Sequence, residues 1–176
     1  MTDLDVDGRR LRKEQNRVAV LDALVGLFAE GAFEPGAAAI ADRAGISARS
    51  VFRYFDDSDD LNRAAIERHL QAAAPLLDPG VTAATPLAER IEGFVAARVR
   101  LHEAIAPAAR AARVCHHRVP VVAEQIRKTR SFLRRQIKDL FSPDDALLPA
   151  VDALCAFESY DVMRARGMTR PQIEAT

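Results

Sequence analysis

The residues best suited to chemistry lie together in one short segment that runs from Ile40 to Phe55. Gly45 separates two apolar runs within it, and glycine permits the left-handed turn that reverses a chain between two helices. The side chains left exposed on the second helix are hydrogen-bond donors: Arg49, Ser50, Arg53 and Tyr54. Such donors suit phosphates and base edges. A plain structural hairpin is the alternative, but the complete pattern favours a helix-turn-helix that binds DNA.

A second group of donors lies near the N-terminus, where only Glu14 opposes a basic run. The run consists of Arg9, Arg10, Arg12, Lys13 and Arg17. Taken alone, it is typical of a solvated helix face or a tail. Its charge is balanced elsewhere, because the chain has 25 Lys and Arg against 25 Asp and Glu, with an acidic cluster at residues 56–60. DNA-binding proteins usually carry an excess of positive charge, so the position of the basic residues matters more than their total.

Two further polar residues, Arg98 and His102, fall on the apolar stripe of a helix in the second half. A buried lone charge is costly, so Arg98 needs a partner, and Glu158 on the last long helix is the candidate. The pair would be either a structural ion pair or the polar anchor of a ligand pocket, and the sequence leaves both open. The expected pocket residues are Ile91, Phe94, Val95, Arg98, His102, Ile126 and Leu133.

Signals for catalysis or metal binding are weak. His116 and His117 are adjacent and therefore do not face the same way on a helix, whereas helical metal ligands favour i, i+4 spacing. The sequence has no Gly-rich phosphate loop, nucleophile elbow or Ser/His/Asp cluster. It thus predicts no enzyme, no cofactor and no metal site. Cys115 and Cys155 are expected to be reduced and buried, with a disulfide or redox switch as the minor alternative.

Helical periodicity is nearly continuous, and no alternating run is long enough for a strand, so the predicted fold is all-α. Helices are expected at residues 11–30, 37–44, 48–55, 58–74, 87–106, 107–115, 119–142 and 144–166. A capped first turn at 169–171 would start one more helix, with little chain left to complete it. No apolar stretch is long enough to span a membrane and no secretory signal is present, so we expect a cytoplasmic protein.

The predicted domains are residues 1–74, a Pro- and Gly-containing linker at 75–86, and residues 87–176. The helix at 144–166 is apolar on two sides, and a helix that needs cover on both sides is either fully buried or shared with a partner. Small residues permit close helix approach, so the second side is predicted to be a dimer seam. Its residues are Ala150, Ala153, Ala156, Phe157 and Tyr160.

These features together resemble the tetracycline-repressor (TetR) family from about Arg17 to Leu61. The motifs that carry the resemblance are Leu21-Asp22-Ala23, Leu27-Phe28-Ala29-Glu30-Gly31, Ile40-Ala41, Ala44-Gly45-Ile46-Ser47 and Phe52-Arg53-Tyr54-Phe55. The resemblance implies a homodimeric regulator of transcription, more often a repressor, that binds a palindromic duplex. It also implies a variable helical C-terminal domain that dimerises and binds a small-molecule effector.

The resemblance further implies roles for single residues of the second helix of the motif. Bases would be contacted by Arg49, Ser50 and Phe52, and phosphates by Ser47, Arg53 and Tyr54.

Two positions depart from the family pattern. Pro35 and Gly36 stand where the family often has Thr, and Ser58 stands where it usually has Lys, which keeps a phosphate donor but removes its charge. We infer that the basic arm of residues 9–17 compensates by reaching the DNA backbone or minor groove. A DNA-binding architectural or partner-recruiting factor without an effector stays as the alternative function.

Overall fold

The computed structural model describes the backbone of residues 3–176 and the side chains from residue 10 onward. Nine α-helices and one short 3-10 helix occupy this described part, which contains no strand, so the all-α prediction is confirmed. The chain divides into two compact units. The first contains the residues up to His69 together with 110–123, and the second contains residues 70–109 and 124–176.

The first unit is built on α1 (Asp3–Ala29), α2 (Ala37–Ala44), α3 (Ala48–Tyr54) and most of α4 (Ser58–Ala73). Helix α1 contacts both α2 and α3. One apolar core joins them, formed by Val20, Leu21, Ala23, Leu24, Ile40, Ala41, Val51, Phe55, Ala64 and Ala65. This shared core fixes the orientation of α3.

Helix α1 begins well before Leu11, where the sequence places its start. Apolar periodicity marks only the buried part of a helix, and it therefore does not mark the exposed residues ahead of that part, such as Gly8 and Arg10. The basic arm is therefore continuous with α1. The side chain of Arg9 lies outside the described residues.

The first unit also takes in the residues where the chain passes from α5 (Leu87–Cys115) to α6 (Pro120–Phe141). There, Arg118 forms an ion pair with Glu34 of the loop between α1 and α2. This arrangement differs from the predicted boundaries at residues 74 and 87. Pairing of residues far apart in sequence decides which unit a segment joins, and neither composition nor Pro and Gly content carries that information.

The two helices predicted at 87–106 and 107–115 are one helix, α5, with Pro107 inside it. Proline removes a helical hydrogen bond and usually ends or kinks a helix, at a cost of about 3 kcal/mol. Ala106 and Ala109 flank it and are buried, and tertiary packing of this kind outweighs local propensity. The prediction of a helix break at Pro107 was therefore wrong.

The helix predicted at 144–166 is instead two helices, α7 (Leu148–Leu154) and α8 (Phe157–Ala165). Ala156 between them is extended, with φ −74° and ψ 155°. The hydroxyl of Ser159 donates to the carbonyl of Ala153 at 2.6 Å, which satisfies one of the groups that the break exposes. A last short helix, α9 (Arg170–Glu174), follows the predicted cap at Thr169, which forms a capping box with Gln172.

The segment predicted to be a linker is a packed part of the second unit. Leu76, at the end of the 3-10 helix Ala74–Leu76, and Leu77 contact one apolar cluster. Val81 contacts another, and it lies against Gly93 so closely that a Cβ there would come within 2.6 Å of its Cγ1. The absence of a side chain at Gly93 thus allows this segment to pack closely on α5.

Cys115 and Cys155 are free thiols, and each is half-buried rather than buried as the sequence predicted. Burial raises the pKa of both thiols above the ordinary value. No helix within residues 3–176 has the length and apolar character needed to cross a membrane.

Candidate nucleic-acid interface

The turn between α2 and α3 is centred on Gly45, whose φ of 69° and ψ of 30° lie in the left-handed region. Glycine adopts this region without steric cost. Its N–H donates to the Asp42 carbonyl at 3.3 Å, and the N–H of Ile46 donates to the Ala41 carbonyl at 3.0 Å. These bonds tie the turn to the end of α2, so the angle at which α3 leaves is set by the backbone.

Ser47 caps the N-terminus of α3. Its Oγ accepts the backbone N–H of Ser50 at 3.2 Å and lies 2.8 Å from the Ser50 Oγ. Both hydroxyls are therefore engaged with each other. A contact from either one to a base or phosphate must extend or replace this pair.

The remaining side chains of α3 divide into a buried face and a solvent face. Val51 and the adjoining Phe55 are buried in the core of the first unit. Arg49, Phe52 and Arg53 are exposed, and Phe52 leaves 57% of its surface open to solvent. An exposed aromatic ring on the same short helix as two exposed arginines suits the major groove, where apolar groups contact thymine methyls and arginine pairs with guanine.

The hydroxyl of Tyr54 has a partner that sequence reasoning missed. Asn16 of α1 donates from Nδ2 to the Tyr54 Oη at 2.8 Å. Because this bond uses the oxygen as an acceptor, the phenolic hydrogen stays available to donate to a phosphate. Asn16 lies one helical turn before the buried Val20. A polar residue in line with the buried face of α1 was therefore the feature of the sequence that could have indicated this contact.

The basic arm is presented on the first turns of α1. Arg10, Arg12 and Lys13 are exposed. Arg17 is half-buried, with its guanidinium carbon 5.1 Å from the centre of the Phe55 ring. Arg17 is thus anchored on the core by a cation–π contact, whereas Arg10, Arg12 and Lys13 are exposed.

Ser58 is exposed in the first turn of α4 and is surrounded by aspartates. Asp57 caps this helix, as the sequence predicted, by accepting the N–H of Asp60 at 2.7 Å. Asp60 in turn accepts the N–H of Asp56 at 3.2 Å. The acidic cluster therefore stabilises the start of α4, although its charge weakens attraction to phosphates.

In the second unit, the predicted pairing of Arg98 with Glu158 is wrong. Glu158 accepts from Arg130 at 2.5 Å. The Arg98 Nη2 donates instead to the Oε1 of Gln136 at 3.1 Å and, at 3.5 Å, to the Leu133 carbonyl. Helical periodicity identifies residues that share a face, but it cannot say which residue of another helix meets them.

The residues predicted to line a ligand pocket do not form one set. Phe94 and Arg98 line a cleft in the second unit. His102 lies instead against Phe157 and Tyr160, and its Nε2 is 3.0 Å from the Cys155 carbonyl. Outside the cleft lining lie the other predicted residues: Ile91, which is 46% exposed, the half-buried Val95 and Ile126, and the buried Leu133.

The residues predicted to form the dimer seam do not share one exposed face. Phe157 and Tyr160 are buried in the core of the second unit, so they do not lie on a free face, because the break at Ala156 turns α8 away from the line of α7. Ala150 and Ala153 are exposed, and Ala156 is half-buried.

The comparisons with known proteins concern the first unit. Residues 20–65 match the family model described as bacterial regulatory proteins, tetR family. No curated protein matches the chain. The matched residues contain α2, the turn at Gly45 and all of α3, which are the elements that present Arg49, Phe52 and Arg53 to solvent. The resemblance found in the sequence is confirmed over these residues, and the match indicates a DNA-binding transcriptional regulator.

Proposed function

We propose that this regulator acts in the cytoplasm as a homodimer that represses transcription from a palindromic operator and leaves it when a small molecule binds. The exposed face of α3 is the observation that carries the proposal. Neither Arg49 nor Arg53 pairs with a carboxylate of the described residues, so both guanidinium groups are available for DNA.

A palindrome requires two heads held about one helical turn of DNA, or a multiple of it, apart. One chain supplies one head, so the proposal requires a two-fold dimer. The exposed surface of α7 supports a seam there, because Leu147, Ala150 and Leu154 follow each other at i, i+3 and i+7 and all three are exposed. Exposed apolar stripes of this kind are typical of protein interfaces.

The seam is tested by Ala153→Arg, with Ala104→Arg on the exposed side of α5 as the matched control. A charge placed in the seam should yield monomers in analytical ultracentrifugation, whereas the control should stay dimeric. A dimeric Ala153→Arg protein with unchanged DNA affinity would move the seam to another surface.

The effector is proposed to be an apolar, elongated molecule with one acidic or hydrogen-bonding group, and Arg98 is its polar contact. The cleft around Arg98 encloses little space, because the volume of about 180 Å³ at this site includes open solvent. Ligand pockets usually enclose most of their ligand, so this small enclosed space favours the second candidate, an architectural or partner-recruiting DNA-binding factor without an effector.

One experiment separates these candidates. Duplexes bound by the protein are selected from a random pool, and the enriched sequence is then used to screen for compounds that release it. An enriched palindrome and a releasing compound support the regulated repressor. Tight binding to a palindrome that no compound in a broad library disturbs would support the second candidate.

A further inference from the structure

The cleft in the second unit combines an apolar wall with one buried cation. Its lining residues are Leu76, Leu77, Pro79, Phe94, Ala97, Arg98, Leu101 and Gln136. Arg98 is only 6% exposed, so the guanidinium group at the cleft is almost completely withdrawn from water.

The charge of Arg98 is not neutralised within the described residues. Its partners are a neutral amide and a backbone carbonyl, and its guanidinium carbon lies 4.8 Å from the centre of the Phe94 ring. The nearby carboxylate of Asp152 is bound to Arg134 at 3.0 Å. Burial lowers the pKa of Arg98, which reflects the cost of holding an uncompensated charge away from water. An anion in the cleft would remove that cost.

Gln136 occupies the position that such an anion would take. Its Oε1 accepts from Arg98 at 3.1 Å, and its Nε2 donates to the Leu77 carbonyl at 2.6 Å. One side chain therefore covers Arg98 and also holds the backbone just after the 3-10 helix that follows α4. Displacing the amide oxygen would strain or break the bond to Leu77.

We propose that this cleft binds the carboxylate of a short aliphatic acid, which replaces the Gln136 amide oxygen on Arg98 and thereby releases the Leu77 carbonyl. A carboxylate matches the planar guanidinium fork with two parallel hydrogen bonds. A dianion is a poor fit, because Arg98 is the only cation among the lining residues. The half-buried Leu76 and Leu77 offer an apolar surface to the tail of the acid.

The regulatory meaning of this release depends on the proposed function, whereas the binding does not. Leu77 follows α4 closely in the chain, and α4 begins in the first unit at Ser58. Freeing Leu77 would therefore loosen the segment that is covalently continuous with the helix that follows the DNA-binding motif.

Calorimetric titration of the full chain with sodium hexanoate and with hexanamide tests the site, because the two probes differ only in charge and head group. Hexanoate should bind at least about tenfold more tightly, the ratio expected for a hydrogen bond to a charged group. In Arg98→Met this preference should disappear, while the exposed Arg135→Met on α6 should keep it.

Gln136→Glu provides a second test of the site that does not depend on the folding of the Arg98 variant. It places a carboxylate beside Arg98 within a side chain of the same size, so hexanoate affinity should fall at least about tenfold while hexanamide affinity stays the same. Equal affinity of the wild-type protein for both probes, or undiminished hexanoate binding in a folded Gln136→Glu, would overturn the proposal.

A parallel measurement of DNA release separates this site from the proposed function. If hexanoate binds through Arg98 but leaves DNA affinity unchanged, the site is supported and effector-controlled release through it is refuted. If hexanamide releases DNA as readily as hexanoate does, release by a small molecule is supported and the carboxylate site is overturned.

Discussion

The two units place their arginines in opposite ways. In the first unit, Arg49 and Arg53 project into solvent from a short helix whose other face is buried. In the second unit, Arg98 is enclosed and satisfied by neutral groups on α6. A guanidinium in water is stable without a partner and is free to meet DNA, whereas a buried one depends on every neighbour. The first kind of site follows from local sequence, and the second follows only from tertiary packing.

Removal of the basic arm is the broadest test of whether the exposed basic residues of the first unit contact DNA. Deletion of residues 1–13 removes Arg10, Arg12 and Lys13, which are exposed. If each contacts a phosphate, the slope of log affinity against log salt should decrease by roughly 2–3, because fewer counterions are released. Fluorescence anisotropy between low and high salt measures this slope. An unchanged slope would show that the arm does not touch DNA.

Gly93→Ala tests how the segment at residues 75–86 packs on α5, the helix that carries Arg98. The added methyl would meet the side chain of Val81, which has to shift, so the free energy of unfolding should fall by about 1–3 kcal/mol. Gly36→Ala is the control, because nothing lies within 4 Å of a Cβ there. Urea denaturation compares the two variants. Equal stabilities would mean that the segment at residues 75–86 adapts freely and is not held on α5.

The hydrogen bond between Asn16 and Tyr54 connects α1 to the last residue of α3. Tyr54→Phe should weaken binding to all duplexes alike by about 0.5–1.5 kcal/mol, since a phosphate bond carries no sequence information. Asn16→Ala should weaken binding less and should have no further effect in the Tyr54→Phe background. Additive losses in this double-mutant cycle would show that Asn16 does not act through Tyr54.

The smallest expected effect concerns pH. Burial lowers the pKa of His69 in the folded chain. Below pH 6.5, which is about the ordinary pKa of histidine, the unfolded chain therefore binds a proton at this residue that the folded chain does not. The contribution to stability is complete above that pH and is lost as the pH falls. His69→Gln should therefore flatten the decline in unfolding free energy between pH 7.5 and 5.5. The exposed His117→Gln is the control, and an identical decline in both variants would contradict the assignment.

The sequence was most informative where structure depends on neighbours in the chain. The bounds of α2, the cap at Ser47 and the turn at Gly45 follow from residue type and spacing alone. The partner of Arg98, the continuity of α5 through Pro107 and the break at Ala156 depend on contacts between distant segments. No periodicity encodes them, so the sequence correctly marked Arg98 as a residue that needs partners but named the wrong one.

The most direct test of the central claim, that α3 reads DNA sequence through its exposed face, is selection of bound duplexes by the wild-type protein and by Arg49→Ala. The wild type should enrich a palindrome. The variant should lose preference at one position of each half-site, at a cost of about 1–3 kcal/mol for the wild-type duplex, while the other positions keep theirs. Recovery of the same sequence with the same preferences by Arg49→Ala would contradict the claim.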